Sequence, residues 1–202
     1  MNATTERSGV HSRLWVALIV VGALLVFMRV MSANIAAQAP TSQGKKAERE
    51  IDDRIPKHVP IRVKIKSEKE KGFRDLKNPR WLRDLEVEVT NLSEKPIYFL
   101  ELWVVMPEIV SANGHEVGFT LRYGRMEFVD FDTLALPTDT PIQPGAKYTF
   151  TIAENYQRAW EAHKERENRQ DPTKVEFTFV QLSFGDGTGF KGTDAKPFPY
   201  QR

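Results

Sequence analysis

The 202-residue chain contains no cysteine. That excludes disulfides, thiol catalysis, thiolate metal sites and a lipid-modified N-terminal cysteine. An exported domain without disulfides must be stabilised by its apolar core, and this chain is long enough to build one. Histidine is scarce: His11, His58, His115 and His163 are the only four, with no H-E-x-x-H and no close pair. A histidine zinc site needs three or four converging ligands, so neither a metal nor another cofactor is expected. His163 and Glu167 share a helix face and read as a solvated i,i+4 pair. There is no G-x-S-x-G serine and no dinucleotide fingerprint. Asp186 sits among three glycines, but no Lys-Ser/Thr or helix follows, as a phosphate loop requires, and no further ligands stand at calcium-loop spacing. That segment reads as a hairpin with glycines at positive φ.

A strong net charge is missing too. The formal +2 lies in residues 1–39, where Arg7, Arg13 and Arg29 outweigh Glu6, so the remainder is neutral. A neutral body exerts little pull on nucleic acid, which is set aside as a partner. The balance hides a split: residues 45–83 carry 14 basic against 7 acidic groups, and residues 84–202 carry 12 against 19. Either the basic front folds onto the acidic remainder, or it forms a basic stalk near a membrane.

Long apolar runs are limited to one. Leu14 to Met28 is apolar throughout, and Arg29 interrupts it before Val30 and Met31. Those fifteen residues fall short of the roughly 17–25 of a spanning helix and match the core of an export signal. Ala37-Gln38-Ala39 offers a cleavage site. Two outcomes are expected: a signal cleaved near Ala39, or an uncleaved anchor that holds the membrane through residues 14–31. Both place the body outside the cytoplasm, periplasmic or otherwise extracytoplasmic. Residues 40–59 then read as a flexible charged, proline-containing linker, with at most a helical turn or two from Glu48 to Arg54. Residues 60–193 form the β domain, and residues 194–202 a coil tail.

The β domain is organised around Asp84 to Met106. Leu85, Val87 and Val89 alternate with Glu86, Glu88 and Thr90, the period of a strand with one wet face. Asn91 to Pro96 supplies turn formers, and Ile97 to Met106 is apolar on both faces except at Glu101, as in a covered central strand. The two runs read as a hairpin. Ile61, Val63 and Ile65 alternate with Arg62, Lys64 and Lys66, a basic face that complements the acidic one on 84–91, so these strands are expected to pair with Lys64 beside Glu88. Ser67 to Arg83 reads as a long charged loop anchored by Phe73, Leu76, Trp81 and Leu82. Further strands are expected around the Asn113-Gly114 turn (Val117, Phe119, Leu121), at Met126 to Leu136, at Tyr148 to Ile152 after Pro144-Gly145, at Val175 to Phe184, and at Phe190. Thr151 with Glu154 suggests a capping box opening one helix to about Asn168, with Ile152, Tyr156, Ala159, Trp160 and His163 as its apolar stripe.

The run VEVTNLSEKPIYFLELWVVM, followed later by IQPGAKYTFTI, resembles the small bacterial immunoglobulin-like domains of the FxLYD type. The resemblance implies an antiparallel immunoglobulin-like β-sandwich in a cell-envelope setting; the helix is an insertion, and no catalytic residue carries over.

Function reads as a non-enzymatic binding or structural module with a protein or glycan partner in the envelope, edge-strand pairing being one mode. The alternative is a carbohydrate-binding module. Trp81, Tyr123, Tyr156 and Trp160 are the candidate ligand-binding rings, although Trp81 also fits as a plug of the fold and Trp103 fits core packing. A third reading is a hydrolase using Asp130, Asp132 or His115.

Overall fold

The computed structural model describes residues 47–111 and 113–199. These form strands β1 (Glu50–Asp53), β2 (Ile61–Ile65), β3 (Glu86–Asn91), β4 (Phe99–Val110) and β5 (Glu116–Tyr123). β6 (Lys147–Thr151), β7 (Lys174–Ser183), β8 (Gly189–Lys191) and β9 (Lys196–Phe198) follow. Three helices join them: α1 (Ser67–Arg74), α2 (Trp81–Asp84) and α3 (Glu154–Arg166). The export segment, its cleavage site at Ala39 and linker residues 40–46 lie outside the described residues. No helix among the described residues is long and apolar enough to cross a membrane.

The molecule is mainly β, with two sheets and few helices. The smaller sheet has the order β2-β3-β6, antiparallel throughout. Its ladder places Lys64 opposite Glu88, as the complementary stripes require. Glu88 also receives Lys147 from β6, so one carboxylate takes two ammonium groups, at 3.3 and 3.2 Å. The larger sheet runs β5-β4-β7-β8-β9, with β1 added in parallel to β7 beyond β8. Ile61, Ile65, Val87, Val89 and Phe150 of the small sheet join Leu100, Leu102, Val104, Met106, Val175, Phe177 and Phe179 of the large one in a single buried cluster.

The expected hairpin between 84–91 and 97–106 is not formed. β3 and β4 belong to different sheets, and the polar turn between them is an arch that crosses from one to the other. Asn91 holds the arch. Its buried amide donates to the carbonyls of Lys95 and Ile142, both at 2.8 Å, and its Oδ1 accepts from Ser93. Ile97 then bridges to Ile142. A turn-forming sequence fixes that the chain reverses, not that its flanks pair.

Three further expectations are corrected. The linker is structural from residue 47 onward: β1 is a strand, not a helical turn. Arg49 is fully buried there, donating to Pro172 O and Phe73 O with its guanidinium 4.4 Å above the Trp81 ring. Ser67 to Arg83 is not a loop. It forms α1 and α2, with Glu68 and Glu70 at the start of α1 and Lys71 and Arg74 at its end, matching the helix dipole. The tail forms β9 over Lys196–Phe198 rather than coil.

The segment Met126 to Leu136 is not a strand but a 3-10 turn at Met126–Val129 followed by loop. It folds over one end of the outer face of the large sheet. Phe99, Phe128 and Phe131 are buried there, apart from the main cluster. A β-bulge in the β4–β7 ladder skips Val180 and turns Gln181 to the opposite side from Phe179. Gln181 therefore donates to the carbonyls of Phe128 and Val129. The glycine turn before β8 has Gly185 and Gly187 at φ of 69° and 81°, conformations that residues with a Cβ rarely adopt.

Candidate functional site

The helix α3 starts later than the capping-box pattern suggests. Thr151 stays in β6, Ala153 is the N-cap without a side-chain bond, and Gln157 instead donates to Ile152 O at 2.6 Å. The chain after the helix pins it in place. Trp160 Nε1 donates to Asp171 Oδ1 at 3.0 Å, and Lys164 reaches the same carboxylate at 3.2 Å. Burial works against the Lys164 charge, yet hydrogen bonds to Glu161 and Asp171 hold its ammonium above the ordinary lysine value. Trp160 packs edge-on against Trp81, ring centres 6.4 Å apart. That one ring does most of the work of seating the helix.

Ile152, just ahead of the helix, is buried with the core, but the middle of the stripe does not sit down. Tyr156 is 50% exposed, and Ala159 is exposed with it. Between this stripe and the β4–β5 hairpin runs a groove of about 560 Å³. Val117 and Phe119 line one wall, Tyr156, Trp160 and His163 the other, and Tyr156 meets Phe119 edge-on at 6.2 Å. Gly118 contributes its backbone to the lining. β5 pairs only with β4 among the described strands, so the N–H and C=O groups of its other edge have no ladder partner there.

One end of the groove is basic on balance, with Arg166 and Arg169 against Glu167. Arg169 Nη2 donates to Val110 O at 3.3 Å, and Arg166 contacts His163 Nδ1 at 3.2 Å and Glu167 at 3.1 Å. Because Arg166 is always a donor, Nδ1 accepts and the imidazole proton sits on Nε2. That Nε2 is buried without a partner. Arg169 has no carboxylate within salt-bridge distance among the described residues.

The structure brings together two of the four candidate rings. Tyr156 and Trp160 line the groove. Trp81 does not: it is fully buried beneath Arg49 and beside Trp160, and offers no face to a ligand. Tyr123 lies at the far end of β5, edge-on to Tyr148 at 4.6 Å with its hydroxyl on Thr140 O, and burial raises its phenol above the ordinary value. The expectation that Trp103 packs in the core is also overturned. It alternates outward with Phe99, but the 126–136 segment covers only the Phe99 end of that face and leaves Trp103 45% exposed. Asp130 and Asp132 share a loop, where Asp130 Oδ1 accepts from the Asp132 amide, while His115 lies beyond the other end of β5. Phe119, read only as a strand residue, and Arg166 and Arg169 were not recognised as site residues, for only the helix–strand juxtaposition makes them neighbours. No protein-family model, curated protein or solved structure matches the chain.

Proposed function

We propose that this chain is an exported, non-enzymatic binding module of the cell envelope, an immunoglobulin-like β-sandwich that takes an extended segment of a partner protein alongside β5. One observation carries the reading: β5 is an edge strand whose Val117 and Phe119 stand across a groove from Tyr156, Trp160 and His163 of α3. Strand addition uses main-chain hydrogen bonds for affinity and side-chain pockets for specificity, and both are present here. The apolar run from Leu14 to Met28 and the likeness to FxLYD-type domains support the envelope setting. Asp130 and Asp132 lie beyond one end of β5 and His115 beyond the other, which favours binding over hydrolysis. The test is amide hydrogen exchange of the full-length protein with a peptide selected for binding. Amides of Val117 to Thr120 gain protection if a strand is added; unchanged exchange there with binding intact overturns the reading.

A second reading rests on Trp103. It stands on the uncovered part of the large sheet, opposite Thr120 on β5 and Thr178 on β7, with the Glu101–Arg122 ion pair nearby at 2.8 Å. A flat ring with flanking hydroxyl and charged groups is suited to stacking a sugar. Glycan-array binding that disappears in Trp103→Ala and persists in Tyr156→Ala would place the function on this face instead.

A further inference from the structure

The two walls of the groove have opposite polarity along the chain. β5 starts beside the basic end, since Glu116 pairs with Val110 and Val110 O accepts from Arg169. Three residues further on, Phe119 faces Tyr156 from the first half of α3. A strand added antiparallel to β5, the commoner pairing, therefore enters past Tyr156 and runs toward Arg169. The stretch from Glu116 to Phe119 spans about 10 Å at roughly 3.4 Å per residue, room for a few residues only. Arg169, anchored on Val110 O, places a guanidinium at that end of the groove, where a chain that stops there meets it with its own carboxylate.

Resting on the strand-addition reading, we propose that the occupant is the free C-terminus of an apolar polypeptide, its terminal carboxylate held by Arg169. Arg166 is already paired with Glu167, which lines the same end of the groove, so the charge available to an anion is that of Arg169. Arg169 has no carboxylate within salt-bridge distance among the described residues, and strand alternation turns the Glu116 side chain away from the side of Val117 and Phe119. The negative end of the α3 dipole would oppose an anion. Its last carbonyls, however, are already taken, since Glu167, Asn168 and Arg169 donate their amides to His163, Glu165 and Lys164. The guanidinium fork suits a carboxylate, and such charge-assisted bonds are roughly twice as strong as neutral ones.

The test screens the full-length protein against two libraries of short random peptides, one with free C-terminal carboxylates and one with C-termini blocked as amides. Binders are expected from the free-carboxylate library alone, rich in apolar residues. The best of them, resynthesised as its amide, should lose at least about tenfold in affinity. Arg169→Gln should lower the acid to the level of the amide and leave the amide unchanged. Acid and amide binding equally overturns the proposal, and that comparison needs no variant. Blocked peptides that bind and protect β5 in hydrogen exchange would defeat the C-terminal occupant while leaving strand addition intact. No binder from either library defeats both.

Discussion

Two segments of this molecule exchanged the roles that their composition suggests. Residues 47–59 are charged and proline-containing, yet they carry a fully buried arginine and a strand of the large sheet. The stripe on α3 is aromatic and apolar, yet half of the Tyr156 surface meets solvent. The difference lies in what each has to pair with. Arg49 finds two backbone carbonyls and the faces of Trp81 and Phe73, which offset much of the cost of a buried cation even though its Nη2 has no hydrogen-bond partner. Beyond Trp160, the helix finds a strand edge held at a distance. Burial follows available partners, and the exposed part of this stripe has few among the described residues.

The largest test of this contrast is Arg49→Ala. It leaves the Pro172 and Phe73 carbonyls unpaired and a void beside Trp81, so a loss of about 3–4 kcal/mol is expected. Arg49→Lys keeps the charge without the planar fork and should fall between. Urea unfolding measures both. A change below about 0.5 kcal/mol for Arg49→Ala would mean that the front segment is an ornament of the fold after all.

Tyr156→Ala is the opposite case. Its ring is half exposed, so stability should move by less than about 0.5 kcal/mol, while binding of a selected peptide should fall at least about tenfold. If the melting temperature drops as far as for Arg49→Ala, the stripe belongs to the core and the groove loses its meaning.

These two residues also show what a sequence can convey. Pairing of β2 with β3 was legible down to Lys64 beside Glu88, because a two-residue period and complementary charge are local signals. The long apolar strand was legible as central. Its partner was not, since Asn91 builds its arch from the carbonyl of Ile142, far along the chain. The mixture of charges at 47–59 resembles a linker because only Pro172 and Phe73, remote in sequence, reveal where the guanidinium goes. Of the site, Tyr156 and Trp160 were readable from helical spacing. Arg166, Arg169 and Phe119 became neighbours only when α3 settled beside β5.

The smallest predicted effect concerns acid. Glu108, on β4, accepts hydrogen bonds from the Thr173 hydroxyl and amide and from the Lys174 amide, where β1 joins β7. Burial opposes its ionisation, but those bonds and the nearby Arg49 charge hold its carboxyl below the ordinary glutamate value. A carboxylate with a lowered native pKa stabilises the fold fully above its unfolded value. That contribution drains away as pH falls through the lowered native one. Urea midpoints measured from neutral pH down to about pH 3 should therefore decline, and Glu108→Gln should make the decline shallower by removing one contributor. The same variant should leave peptide binding to the groove unchanged at neutral pH. A profile as steep in Glu108→Gln as in the natural protein would show that this carboxylate adds nothing measurable to the join between β4 and the start of β7.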